Sequence, residues 1–361
     1  MLVHICCAVD SHYFLQKLKK LYPKEDIKGF FYDPNIHPYS EYQLRLLDVK
    51  HSCKKLGIEL IEGEYNYEGW LEAVRGFEDE PEKGKRCDLC FDNRLETSAK
   101  KAKELGIKKL TTTLLTSPKK SIEQLNEAGK DIQKRYGVEF VSLDLRKGGG
   151  TQEQFEMARE QMLYHQDYCG CIYALTKQRE SQKRLADELF SPISRQIQPE
   201  SIEDRIQLYQ KRVEFEDSGI DYKIIREKFL NYRLLMAWLK IDKKVVPSYI
   251  LPYSITNRKF IKTKIDTKID DIYLSRHENI YIIELEKFNK IFQKSYKTLS
   301  QLLKNPPTFD EELEMRSKIC KNQYSLSAVI IVKNIELNSK IQLFMDATTY
   351  QDTREHLVKL G

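Results

Sequence analysis

The sequence predicts an α/β protein, a doubly wound and mostly parallel sheet followed by an α+β extension. Two observations carry that expectation. Short apolar runs alternate with amphipathic stretches from residue 2 to about residue 189, the order that builds a parallel sheet covered by helices on both faces. The alternation then breaks around residues 191–205 at SPISRQIQPESIED, a polar stretch with two prolines that reads as a domain boundary.

The first run, LVHIC, is a short buried strand, Ser11 to Leu21 has the spacing of an amphipathic helix, and IKGFFYD at 27–33 is a second strand. Pro38 suits the first turn of a helix running to about Leu56, Gly57 ends it, and IELIEG adds a third strand. Residues 88–105 read as a helix, 108–115 as a strand, Ser121 to about Tyr136 as a helix and 138–145 as a strand, with helical patterns at about 151–164 and 172–189. Beyond the boundary, 223–240 reads as a helix. Strand-like runs follow at VVPSYILPYSI, DIYLS and NIYIIEL, then helices over 286–304 and a last apolar run at SAVIIVKNIEL. The expected organisation is a metal-binding catalytic domain at 1–190 and a basic extension at 191–361.

Composition narrows the class. With 361 residues, 41% hydrophobic and 32% charged, the chain has material for two cores. Residues 1–190 hold 31 basic and 31 acidic side chains, and residues 191–361 hold 29 and 23, so the net +6 lies in the extension. A pI near 8.6 permits a nucleic-acid partner without requiring one. The N-terminus enters an apolar strand with no basic leader, and no window approaches the roughly 18 apolar residues of a membrane span. A soluble, cytoplasmic protein without membrane contact is expected. Eight cysteines in a reducing compartment are metal ligands or redox thiols rather than a disulfide framework.

Six of the eight fall into three pairs. Cys6 and Cys7 end the first strand, and neighbours in a strand point to opposite faces, so both sulfurs reach one site only where strand becomes loop. That is the edge at which open parallel sheets bind ligands. Cys87 and Cys90 open a helix at i, i+3 spacing, on one face and near the positive end of the helix dipole. Cys169 and Cys171 enclose a glycine that lets the backbone bend. A single C-x-x-C would be weak, and scattered core cysteines are the bland alternative. A cubane cluster or a structural zinc takes four thiolates, so six exceed either need by two. Asp10 could complete a second site, or simply cap the following helix. Cys53 and Cys320 read as packing residues.

In the motifs HICCA at 4–8, YDPNIHP at 32–38 with Glu41-Tyr42, GKRCDLC at 84–90 with Arg94-Leu95, TTTLLTSPK at 111–119, Arg146-Lys147 and YHQDYCGC at 164–171, the chain resembles the QueH-type epoxyqueuosine reductases. The resemblance covers residues 2 to about 185. It implies an adenine nucleotide α-hydrolase-like fold, a 4Fe-4S cluster, and beside it a mononuclear iron or a redox-active Cys169/Cys171 disulfide. It also implies two-electron reduction of epoxyqueuosine in tRNA to queuosine, with electrons from an external donor. Rigid positions at a strand end and a helix start favour Cys6, Cys7, Cys87 and Cys90 as cluster ligands, with the pliable Cys169–Cys171 segment and Asp10 at the second site. His37, Tyr42 and Asp33 follow the second strand at the same edge and are the candidate proton donors, although loop hydrogen bonding would explain them as well. Arg86, Arg94, Lys119 and Lys147 are candidate phosphate contacts. The competing classes are a sulfonucleotide-reductase-like iron–sulfur enzyme and a zinc-stabilised RNA-binding protein.

Overall fold

A computed structural model describes residues 1–190, 192, 195–322 and 324–360. The chain forms two compact units: Met1–Leu189 with Arg205–Ile224 and Leu357–Gly361, and Phe190–Asp204 with Ile225–His356. No helix among the described residues is long and apolar enough to cross a membrane.

The first unit runs β1 (Leu2–Ile5), α1 (Ala8–Leu21), β2 (Lys28–Phe31), α2 (Tyr39–Leu56), β3 (Glu59–Glu62), α3 (Tyr67–Ala73), α4 (Lys85–Glu104), β4 (Lys109–Thr112), α5 (Ile122–Tyr136), β5 (Glu139–Phe140), α6 (Gly150–Glu160) and α7 (Ile172–Ser181). The strands pair in the order β3-β2-β1-β4-β5, every pair parallel. Successive residues feed opposite cores: Val3 and Phe31 pack with Phe14, Leu15 and Val49, whereas Leu2 and Phe30 pack with Leu95, Ala99 and Ile132. This is the doubly wound sheet that the sequence predicts. Its strand order reverses at β1, between β2 and β4, which opens a crevice at the carboxyl ends of those strands.

Local chemistry sets the boundaries. Pro38 and the left-handed Gly57 (φ 62) bracket α2. The strand expected over 108–115 stops at Thr112, whose hydroxyl accepts from the Leu114 amide at 3.2 Å, and Thr113–Leu115 turn into a short 3-10 helix. The strand expected over 138–145 keeps only Glu139–Phe140. The helix expected over 172–189 ends at Ser181, and the chain turns at Lys183 with φ 51.

The observed division departs from a single break at residue 190, because Arg205–Ile224 and Leu357–Gly361 also belong to the first unit. Helix α8 (Ile202–Asp217), which the sequence reading missed, belongs to the first unit from Arg205 onward. The fully buried Arg212 donates to Asp48 at 2.6 Å, and Glu216 pairs with His51 at 2.7 Å. Ser191, Ile193 and Ser194 of the expected linker lie outside the described residues.

The second unit contains β6 (Tyr222–Ile241), β7 (Lys244–Val246), β8 (Ser248–Ile250), β9 (Phe260–Lys264), β10 (Thr267–Ile269), β11 (Ile272–Ser275) and β12 (Ile280–Glu284). Then come α9 (Leu285–Phe292), α10 (Leu299–Lys304), α11 (Phe309–Cys320), β13 (Ala328–Val332) and β14 (Lys340–Lys359). Strands β10-β11-β12-β13-β8 form one sheet and β7-β6-β14-β9 another. The helix expected at 223–240 is therefore wrong: that segment is most of β6, a 20-residue strand. Its leucines, lysines and arginines are helix formers, but Leu239 is buried in the inter-sheet core with Ala237 and Ile241 packed against it, while Trp238 and Lys240 take the other face.

Candidate active site

Strand β1 ends at Ile5, and Cys7 is the extended N-cap of α1 (φ −162, ψ 161), so the backbone turns between the two cysteines. Their sulfurs lie 3.9 Å apart, and Cys6 Sγ donates to Asp10 Oδ2 at 3.7 Å. Gln154 on α6 holds the other Asp10 oxygen at 2.6 Å. Among the described residues, Cys6, Cys7 and Asp10 are the one group of three potential ligands whose donor atoms all lie within 4.8 Å of one another. All three are buried. Burial raises the Asp10 carboxyl above its ordinary range, against hydrogen bonds from Cys7, Cys6 and Gln154 that pull it down. The hydrogen bond to Cys6, together with burial, pushes the Cys7 thiol well up.

The other four thiols line a second, small cavity together with Trp70, Arg86, Arg94 and Lys120. Cys87 and Cys90 come from the first two turns of α4, and Cys169 and Cys171 from the segment that enters α7. That segment is bent at Gly170, whose φ of +112 suits glycine and whose added Cβ would meet Ile36 Cγ1 at 2.9 Å. Arg45, only 3% exposed, fixes it by donating to the Cys169 and Tyr168 carbonyls, both at 3.1 Å, while its Nε binds Glu41 at 2.7 Å. The His37 amide donates to the Gly170 carbonyl at 2.8 Å.

Electrostatics around these four are uneven. Burial raises Cys87, Cys90 and Cys171, the last to about 12. Cys169 moves the other way. Burial alone would raise it, but Lys120, whose Nζ donates to its sulfur at 2.8 Å, pulls it below the ordinary thiol range.

The spatial grouping differs from the one the sequence suggests. Cys169 and Cys171 line one cavity with Cys87 and Cys90, and Asp10 lies close to Cys6 and Cys7. The reason is that two distant segments meet at the start of α4, whereas the pair after β1 reaches its own helix first.

A cavity of about 340 Å³ is lined by Cys6 and Asp10 from one set and by Cys169 from the other, with Asp33, Arg94 and His165 among its walls. Asp33 is 1% exposed, ion-paired with Arg94, and 4.0 Å from His4 Nε2. Burial lifts its carboxyl to about 6 even though Arg94 and Arg45 pull it down, and its Oδ2 has no hydrogen-bond partner. Burial also holds His4 well below its ordinary value, hence neutral, between Thr112 and the Tyr32 carbonyl.

Of the expected proton donors, only Asp33 lines this cavity. His37 stacks on Tyr67 with ring centroids 4.9 Å apart. Tyr42 is buried among Phe31, Tyr39 and Tyr65, and burial pushes its hydroxyl far up. Both pack within an aromatic wall and neither lines the cavity. Arg86 and Arg94 are equally inward, the first donating to the carbonyls of Phe77, Glu78 and Glu80, the second pairing with Asp33. Lys119 and the 85% exposed Lys147 remain at the surface. Sequence reasoning missed Arg45, Lys120, Gln154 and His165 as parts of the site. A buried arginine on an otherwise amphipathic helix is a faint signal, His165 lies within the YHQDYCGC motif, and Lys120 and Gln154 carry none.

Fold and site together define a doubly wound α/β protein with a buried, thiol-rich centre at its topological switch point. The family described as epoxyqueuosine reductase QueH matches residues 1–177. An epoxyqueuosine reductase QueH from Helicobacter pylori is 41% identical over 354 residues, covering 92% of this chain and 94% of that protein. The chain belongs to the epoxyqueuosine reductase QueH family. A second relative of that name, from Thermotoga maritima, is 36% identical over 189 residues, which is 52% of this chain but 95% of that one, so about half of this chain has no counterpart there. Among solved structures, the U34-tRNA thiolase NcsA from Methanococcus maripaludis covers 59% of this chain and 73% of its own at 15% identity and a TM-score of 0.33, a likeness too weak to carry any argument.

Proposed function

We propose that this family member reduces epoxyqueuosine in tRNA to queuosine in the 340 Å³ cavity, with a 4Fe-4S cluster on Cys87, Cys90, Cys169 and Cys171 and a single iron on Cys6, Cys7 and Asp10. The observation that carries this reading is the position of Cys169, which lines both the four-thiol cavity and the larger one that Cys6 and Asp10 also line. Electrons delivered at one set are then adjacent to substrate and to the other set.

The donor chemistry fits both groups. Four thiols around one small cavity are the number that a cubane cluster takes. Burial makes unligated thiolates costly at Cys87, Cys90 and Cys171, whereas Lys120 and Arg94 offset the charge of an anionic cluster. Three converging donors, two soft and one hard, leave room for a further ligand on a single ion.

When bound, these centres supply single electrons from an external donor and a Lewis acid beside the substrate. The chain's own residues handle protons. Losing the epoxide oxygen as water consumes two electrons and two protons. Asp33, at about 6, is protonated in roughly one molecule in ten at pH 7 and faces the cavity. Neutral His4 behind it adds no positive charge that would drive its proton off. His165 lines the same cavity as a candidate second carrier.

The test is protein purified without oxygen and supplied with a reductant and tRNA carrying epoxyqueuosine. Roughly five irons per chain and conversion to queuosine are expected. Stoichiometric zinc without iron would overturn the reading in favour of a zinc-stabilised RNA-binding protein.

A further inference from the structure

The four-stranded sheet of the second unit buries one face and leaves the other open. Leu239, Ile261, Ile341 and Leu343 pack into the core against Ile282 and Ile330 of the neighbouring sheet. The side chains between them emerge on the opposite face. There Trp238 stacks on Phe344 with centroids 5.9 Å apart and planes 11° apart, and lies 5.8 Å from Phe260. Phe260 sits opposite Phe344 in the β9–β14 register and is 42% exposed.

Lysines surround these rings. Lys240 lies 5.2 Å over Trp238 and Lys262 lies 5.4 Å over Phe260. Lys264 stands directly opposite Lys340, a like-charge cross-strand pair that weakens the sheet unless an anion sits over it. Lys259 is paired with Asp346, but none of Lys240, Lys262, Lys264 and Lys340 has a carboxylate partner among the described residues. A protein-docking face would be depleted of lysine at its centre. Flat rings ringed by unpaired cations are instead what bases and phosphates require.

We propose that this sheet face docks the tRNA substrate, with Trp238, Phe260 and Phe344 stacking on unpaired bases and Lys240, Lys262, Lys264 and Lys340 meeting phosphates. The choice of tRNA rests on the family reaction proposed above. Because the Thermotoga maritima relative matches without this half of the chain, the face adds affinity and leaves the chemistry to the first unit.

The experiment uses the full-length, metal-loaded enzyme and its Trp238→Ala and Lys262→Glu/Lys264→Glu variants. Affinity for tRNA carrying epoxyqueuosine is measured at several salt concentrations, alongside KM and kcat. Trp238→Ala should weaken binding about tenfold, and the double variant should also lower the slope of log affinity against log salt by about two. In both, KM should rise while kcat at saturating tRNA stays at the wild-type value. Affinity and salt slope unchanged in both variants, with the wild type active, would overturn the proposal. So would a wild-type dimer that Trp238→Ala dissociates without loss of tRNA affinity, since the face would then belong to a second copy of the chain. If the wild type binds tRNA through this face but reduces no epoxyqueuosine, the docking surface stands and the family reaction fails.

Discussion

The two donor sets at the head of the parallel sheet use the same kind of side chain but are assembled differently. Cys6, Cys7 and Asp10 belong to one turn of chain, and their convergence follows from where β1 gives way to α1. Cys87, Cys90, Cys169 and Cys171 come from two segments remote in sequence, and they meet because Arg45, the His37 amide and the bend at Gly170 hold the second segment in place. Charge differs too. The compact set carries its own carboxylate and no cation of its own, whereas the assembled set has Lys120 bonded to a sulfur and Arg86 and Arg94 in its walls against the single carboxylate of Glu82. A local set can be read from the order of residues; an assembled one needs the fold.

The largest break should come from the assembled set. Cys169→Ser removes a thiol that lines both cavities, so visible absorption under anaerobic conditions and turnover should be lost together, turnover by at least about 100-fold. Retained colour with retained turnover would show that Cys169 holds nothing.

Asp33→Asn acts on the cavity that both sets line, and a drop in turnover of about 100-fold is expected near pH 6, the size of effect for a lost general acid. The wild-type rate should decline as pH rises through about 6, because the protonated carboxyl is the working form, and the variant should lack that decline. The sign for stability is the same. The native pKa of about 6 lies above the ordinary 3.8, so the native state holds the extra proton, and this group's contribution falls as pH climbs from about 4 to about 6. Urea unfolding of both proteins across that window checks it, with a flatter profile expected for the variant.

Lys120→Met separates the sets more gently. It removes the cation bonded to Cys169 and leaves every donor atom in place, so iron content should persist while turnover falls about tenfold, the scale for a residue supporting a metal ligand. An equal loss in the compact set's metal would mean that the two sets are not electrostatically distinct.

Much of the first unit is legible in sequence because each strand hands over to a helix with its own punctuation: Pro38 and Gly57 around α2, Ser121 at the N-cap of α5, whose hydroxyl accepts from the Gln124 amide at 3.2 Å. The second unit is less so. Strand β6 is written largely in helix formers and becomes a strand through pairing with β14, a partner about 120 residues further on, which local propensity does not register. The site divides along the same line. That six cysteines come in three pairs, and that the first pair sits at the end of β1, follows from spacing. Which pairs share a centre does not, since it depends on where the Cys169–Cys171 segment lands. Asp33, His37 and Tyr42 all follow β2, and only packing decides that Asp33 lines the cavity while the other two join the aromatic wall. Lys120 and Arg45 gain their roles from contacts to residues 49 and over 120 positions away.

The central claim is the division of the thiols, and one side-by-side measurement decides it. Cys6→Ser and Cys87→Ser are purified without oxygen, and their visible absorption and iron content are compared with those of the wild type. Cys6→Ser should keep most of the absorption and about four irons, losing only the single iron, whereas Cys87→Ser should lose the absorption and most of the iron. If Cys6→Ser bleaches as completely as Cys87→Ser, then Cys6 is a cluster ligand and the division drawn here is wrong.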